Sequence, residues 1–173
     1  MHLPPVQPPI HIEPVATPSL CRAVVPVFAE MLVHYHRTAE DAGAIERFLG
    51  HHLLVPKRTV EMLAARAADG AVMGFASYAV VIPGGGLATE LFLKELYTAE
   101  AHRGRGVARA LMRALALIAR DLGCGRMRWT TGREDSYKAA RRLYDSLGGR
   151  VQEDAILYAM PREAIDALAD SAM

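Results

Sequence analysis

The sequence predicts an α/β (α+β) domain, and three observations carry that prediction. The chain has 173 residues, a size at which one sizeable hydrophobic core forms. Half of its residues are apolar and about a quarter are charged, the composition of a globular protein. Its second half alternates two periodicities, in the order strand, helix, strand, helix, strand. Neither an internal repeat nor an interdomain linker is visible. Residues 1–18 therefore read as a Pro-rich arm with an edge strand, and residues 19–173 as a single domain.

Each element has its own signal. Pro4, Pro5, Pro8, Pro9, Pro14 and Pro18 exclude a helix from the arm, and an edge strand fits near residues 10–15. Helical spacing begins near Cys21, where Val24, Val27, Phe28, Met31, Leu32 and Tyr35 recur at three and four. A short helix is predicted over 41–49. Residues 60–67 and 71–82 read as strands joined at Asp69-Gly70, a hairpin signal. Pro83-Gly84-Gly85-Gly86 breaks that pattern, and another strand follows over 89–98. The clearest helix comes next: Val107, Leu111, Met112, Leu115, Ile118 and Leu122 form one stripe, with Arg109, Arg113 and Arg120 off it. Met127, Trp129 and Thr131 alternate with polar neighbours as in a strand. Residues 136–147 form a helix with Ala139, Ala140, Leu143, Tyr144 and Leu147 inward, stopped by Gly148-Gly149. Residues 151–160 read as a last strand, and Pro161 opens a terminal helix.

Charge is unevenly placed. Residues 101–142 hold eleven of the twenty Lys and Arg against three acids, a local excess of +8 in a chain of net +1. Such a block attracts an anion. Its only aromatics are Trp129 and Tyr137, too few for a row of base-stacking platforms, so a polyphosphate ligand suits it better than nucleic acid. No stretch approaches a membrane span, and Met1-His2-Leu3-Pro4-Pro5 lacks the pattern of a secretory signal. Cys21 and Cys124 stand far apart without metal-ligand company. The expectation is a cytoplasmic protein with two reduced structural thiols.

The most informative stretch runs from a strand through Ala99-Glu100-Ala101-His102 into Arg103-Gly104-Arg105-Gly106-Val107-Ala108, which opens the long helix. A helix start offers free N–H donors and the positive end of the dipole. Gly104 and Gly106 let the backbone approach a pyrophosphate. A dinucleotide fingerprint would need a small residue where Arg109 stands, and the Gly-Lys-Ser/Thr of a Walker loop is missing. The plainer reading is a tight strand-to-helix turn.

These residues resemble the GCN5-related N-acetyltransferase (GNAT) family. Arg103-Gly104-Arg105-Gly106-Val107-Ala108 is similar to its Q/R-x-x-G-x-G/A motif, and residues 140–149 resemble its A-x-x-[FL]-Y-x-x-x-G signature. Phe75-Ala76-Ser77-Tyr78 and residues 91–97 look like the central strands of the diamine acetyltransferase-like branch. The resemblance spans residues 72–149. It implies the GNAT fold, a mixed and mostly antiparallel sheet splayed in the middle and flanked by helices. It also implies acetyl-CoA as co-substrate and direct transfer of the acetyl group to a small amine or amino-acid-like acceptor in a ternary complex.

The resemblance assigns roles as well. Arg103 and the loop Gly104, Arg105, Gly106, Val107, Ala108 and Arg109 would hold the coenzyme pyrophosphate, largely by backbone amides. Leu96, Tyr97 and Thr98 would pair with the pantetheine amides, and an N–H near Leu96 would polarise the thioester carbonyl. Tyr144 would protonate the departing thiolate, a role open to a neutral phenol. Tyr137 and Ala140 would lie along the coenzyme, with Tyr137 where the family often has Asn. Lys94 stands where the diamine branch usually has Glu, so the diamine acceptor is not carried over. Glu95 is the candidate base, directly or through water. The bland alternatives are a core position for Tyr144 and a surface carboxylate for Glu95.

Other groups carry less. His34-Tyr35-His36 and His51-His52 lack partner ligands, so no metal is expected. Cys124, between two glycines, reads as structural. Ile165 and Leu168 of the terminal helix suit packing or a homodimer surface. Two other functions remain open: a non-catalytic acyl-CoA-binding sensor or subunit, and a nucleic-acid-binding domain using the basic block, which would bind with steep salt dependence.

Overall fold

A computed structural model describes residues 9–36, 38–56, 59–82 and 87–171. The first eight residues of the arm, the Pro83–Gly86 break and the His36 side chain lie outside the described residues. The chain falls into two compact units, Met1–Thr131 and Gly132–Met173.

In the first unit five strands form one sheet in the order β1-β2-β3-β4-β5. These are β1 (His11–Pro14), β2 (Glu61–Arg66), β3 (Val72–Val81), β4 (Thr89–Thr98) and β5 (Cys124–Arg128). The first four pair antiparallel and β5 joins β4 in parallel, the mixed, mostly antiparallel sheet expected from the sequence. The Asp69-Gly70 turn is made, with Asp69 accepting from the N–H of Ala71 at 2.9 Å.

Helices α1 (Pro18–His36), α2 (Ala42–Leu53) and α3 (Val107–Asp121) cover the sheet. Thr17 caps α1 by accepting from the N–H of Leu20, and Asp41 caps α2 by accepting from that of Ala44, so both helices start where a short oxygen-bearing side chain precedes them. Phe28 of α1 stacks on Phe75 of β3, with ring centroids 5.5 Å apart. The next residue toward the N-terminus, Gly74, points the other way. A Cβ there would lie 3.1 Å from Val107 of α3 and 2.4 Å from the carbonyl oxygen of Tyr97. Strand alternation thus puts α1 and α3 on opposite faces. Each buries its apolar stripe: Val24, Val27 and Met31 on one side, Leu111, Met112 and Leu115 on the other.

The expected strand through Met127, Trp129 and Thr131 forms at 124–128 instead. It pairs with β4 only from Thr89↔Cys124 to Phe92↔Arg128. The fully buried Glu90 holds this short seam. Its carboxylate accepts from Arg126 and, at 2.9 Å, from Nε of Arg128. Burial pushes its pKa up, but the two guanidinium hydrogen bonds outweigh burial and leave it below the usual carboxylate value.

The second unit contains a 3-10 turn at Asp135–Tyr137, then α4 (Lys138–Ser146) and α5 (Arg162–Asp170). Arg141 ties the loop to α4 by donating to the carbonyls of Gly132 and Glu134 at 2.6 and 2.9 Å. Of the face expected to point inward, Ala140, Leu143 and Tyr144 are half-buried, while Ala139 and Leu147 are exposed. The last strand expected at 151–160 is not formed: the segment is irregular and every residue in it is exposed. Its apolar pattern records a propensity, but a strand exists only where a neighbour completes its ladder.

Glu90→Gln should cost about 3 kcal/mol near neutral pH, because a paired buried carboxylate is removed while both arginines stay. The depressed pKa fixes the sign of the pH dependence. The contribution is present above the unfolded-state pKa and is lost as pH falls through the folded-state pKa. Denaturant titrations of both proteins should therefore converge in acid; a constant difference across that range would contradict this role.

Candidate active site

Beyond Phe92, β4 continues for six residues without β5 beside it. The edge of the strand from Leu93 to Thr98 therefore faces away from β3 with no strand paired to it among the described residues, a row of N–H and C=O groups of the kind an extended ligand can complete. Leu96, Tyr97 and Thr98 lie on this edge, at the end of β4.

The strand then turns through a 3-10 helix, Glu100–His102, into Arg103 and the glycine-spaced loop. Gly106 is the N-cap of α3 with φ 79°, and Gly104 has φ 75°. A Cβ at either glycine would meet nothing within 4 Å. Glycine is required there by left-handed backbone, not by crowding. No side chain caps α3, so the first-turn N–H groups of Val107 and Ala108 are offered outward at the positive end of the dipole. Two buried polar atoms nearby, Oγ1 of Thr98 and Nδ1 of His102, have no hydrogen-bond partner among the described residues. A free strand edge, an uncapped glycine-led helix start and two unsatisfied polar atoms fit a ligand with amides at one end and phosphates at the other.

A network set by α1 fixes this turn. Glu30 accepts from the Tyr97 hydroxyl at 2.9 Å and from the N–H of Glu100 at 2.6 Å. Arg103 donates to the Tyr97 hydroxyl at 3.4 Å and to the carbonyl of Thr98 at 3.3 Å. Burial first, then the bond to Glu30, push the Tyr97 hydroxyl up to about 12, so it stays protonated and acts as a donor. Sequence reading missed Glu30, because its partners lie 67 and 70 residues away and its helix position carries no signal of them. Glu30 also lines a cleft of about 390 Å³ with His34, Glu40, Tyr97 and Glu100, an acidic hollow beside the end of β4.

Glu95 lies in β4 in register with Ser77 and is paired with Lys94, Nζ to Oε1 at 2.9 Å. The structure thus brings together Glu95, Leu96, Tyr97, Thr98 and the loop from Arg103 to Arg109 on consecutive elements of the first unit. Tyr137, Ala140 and Tyr144 belong to the second. Tyr137 closes the 3-10 turn ahead of α4, and Ala140 and Tyr144 are half-buried on α4 one helical turn apart.

Within the basic block Arg126 and Arg128 are committed to Glu90, Arg120 to Asp121 and Arg141 to the loop carbonyls, while Arg103, Arg105 and Arg109 stand around the start of α3. The cysteines are unpaired, Cys21 buried and Cys124 half-buried, and burial pushes the Cys21 thiol up. Among the described residues no cluster of three or more His, Cys, Asp or Glu could hold a metal, and no helix is long and apolar enough to cross a membrane.

Comparison with known proteins bears on the same region. The acetyltransferase (GNAT) family pattern matches residues 28–148. No curated protein matches the chain. Among solved structures, an integron cassette protein from the mobile metagenome of V. cholerae is 27% identical over 94% of this chain and 98% of its own, with a TM-score of 0.83. A ribosomal-protein-alanine N-acetyltransferase from Brucella melitensis biovar Abortus 2308 is 21% identical over 88% of this chain and 99% of its own, at 0.71. AAC(6')-Iy, in complex with the bisubstrate analog CoA-S-monomethyl-acetylneamine, is 19% identical over 88% and 99%, at 0.69. The last two likenesses are of fold. The branch with diamine acetyltransferases receives no support from these matches.

Gly106→Asp sets a carboxylate where the phosphates are expected. Acetyl-CoA affinity measured by calorimetry should fall by about two orders of magnitude, since like charges brought together cost several kcal/mol. The melting temperature should fall modestly, because the added side chain meets open space but the left-handed backbone at Gly106 costs a non-glycine residue about 1–2 kcal/mol. Unchanged affinity would move the coenzyme elsewhere.

Proposed function

The chain belongs to the acetyltransferase (GNAT) family, and from that premise we propose that it is an acetyl-CoA-dependent N-acetyltransferase acting on a small amine or amino-acid-like acceptor by direct transfer in a ternary complex. One observation carries this reading: the β4 edge, which has no strand partner beyond Phe92 among the described residues, runs straight into the glycine-led start of α3. Solved structures of similar fold include one with CoA and one with a bisubstrate analog of CoA.

Each residue then has a task. The Leu96–Thr98 edge pairs with the pantetheine amides, and an N–H near Leu96 donates to the thioester oxygen as negative charge develops there. Arg103, Arg105 and Arg109, with the loop amides, hold the phosphates. An alkylammonium has a pKa of about 10, so the acceptor must lose a proton before attack. Glu95, directly or through water, takes it. The amine nitrogen bonds to the carbonyl carbon, the carbon–sulfur bond breaks, and the Tyr144 hydroxyl gives its proton to the thiolate. The second proton that the nitrogen sheds on becoming an amide restores the tyrosine through water. Tyr137 and Ala140 are proposed as further coenzyme contacts. Placing the reactants together supplies most of the rate. The acidic cleft with Glu30, Glu40 and Glu100 suits a cationic approach to the site.

The unpaired cysteines suit a cytoplasmic setting. The exposed Ile165 and Leu168 of α5 suit a surface for a second copy of the chain, and a single-chain mass by light scattering would remove that part of the reading.

Release of free thiol from acetyl-CoA across an amine panel separates the enzyme from a non-catalytic binder. Tyr144→Phe keeps the ring and removes only the hydroxyl. Turnover should drop by about 10²–10⁴-fold, with acetyl-CoA affinity barely moved. Full turnover in this variant, where chemistry limits the rate, would return Tyr144 to a packing role.

A further inference from the structure

Resting on the acyl-transfer reading, we propose that Lys94 and Glu95 together clamp the acceptor, which therefore carries a carboxylate beside its amine. In an unbroken strand these neighbours would point to opposite faces. Here β4 is irregular between them. Ser77 pairs with Glu95 and Tyr78 with Leu93, so Lys94 is an extra residue opposite no partner in β3. The bulge brings the two side-chain heads together at 2.9 Å, Lys94 66% exposed and Glu95 24% exposed.

Position separates this pair from an ordinary surface contact. It follows Phe92, the last β4 residue paired with β5, and precedes Leu96, where the thioester oxygen is to be received. A solvated ion pair between neighbours adds little stability, about 0–1 kcal/mol, and so gives no reason for the irregularity. Bulges beside active sites re-aim side chains. This one presents both signs of charge at the mouth of the splay. Lys94 is the one cation of β4, and the adjacent cleft is lined by Glu30, Glu40 and Glu100. An acceptor bearing only amines would have Lys94 against it. In an α-amino acid the ammonium and carboxylate are borne by one carbon and match two charged heads in contact, ammonium to Glu95 and carboxylate to Lys94. The carboxylate of the acceptor would also release Glu95 from Lys94, freeing it to take the ammonium proton.

The test compares wild type, Lys94→Glu and Lys94→Met on a set of amino acids, the corresponding amino-acid amides and a diamine, reading thiol release. Lys94 is exposed, so both variants should fold. Wild type should prefer the free acids to their amides. Lys94→Glu should lose about ten- to a hundred-fold in kcat/KM on amino acids, the loss of one charge-assisted contact, and gain on the diamine. Lys94→Met should bring acid and amide to equal use. A wild type that prefers the diamine, or variants with unaltered preferences, would overturn the clamp and leave Lys94 solvated. Thiol release from no acceptor class at all would instead overturn the transfer reading beneath it.

Discussion

The arrangement depends on how little of β4 its parallel neighbour β5 can reach. The two strands run side by side for a few residues and then part, and the place of parting is held by the buried carboxylate of Glu90 between Arg126 and Arg128. A carboxylate with no exposure persists as an anion only when its partners replace lost water, and two guanidinium groups do that. β5 is thereby anchored at the beginning of β4 and cannot slide along to cover its end. A sheet that closed fully would bury the same backbone groups in an ordinary ladder. The parted one keeps them available to a ligand.

An available edge is useful only if it is rigid, and the second constraint supplies that. The end of β4 is packed between α1 and α3, with Phe75 and Tyr97 on one face and Gly74 against Val107 on the other. Glu30 reaches across from α1 to hold both the Tyr97 hydroxyl and the N–H of Glu100, so strand end and following turn are fixed by one side chain. Arg103 closes the network from the far side. The glycine-led start of α3 leaves that network in a single orientation relative to the open edge. A pantetheine-and-phosphate ligand, as proposed, would meet a preformed surface with its ordering cost already met in the fold.

Charge is distributed with the same economy. Several of the basic residues that crowd the middle of the chain are tied to carboxylates or carbonyls, and Arg103, Arg105 and Arg109 stand around the start of α3, where the anion is proposed to bind. Carboxylates collect instead at the cleft beyond Tyr97. The strand between carries one lysine and one glutamate in contact. The two ends of the proposed transfer site thus differ in sign, which would favour an anionic coenzyme at one and an amine at the other.

Much of this could be read from the residues in order. Periodicity located β2, β3, β4, α1 and α3 to within a few residues, because each has a long buried stripe or alternation and a turn signal at its end. The Arg103–Ala108 motif marked the glycine-led turn into α3, because glycine spacing and a helix start are both local properties. Three features were not legible. Glu30 and Glu90 act through partners 36 to 70 residues away, and only packing of the chain decides which carboxylate finds which donor. The bulge at Lys94 is a mismatch in count between two strands, invisible in either alone. Residues 151–160 have the pattern of a strand but not its form, because a strand is completed by its neighbour. The sequence by itself determined the elements and the glycine-led turn before α3, since those follow from torsional preference and apolar spacing. The tertiary structure decided the parting of β4 from β5, the fixing of its end and the meeting of Lys94 with Glu95, since each is a relation between segments far apart in the chain or paired across the sheet.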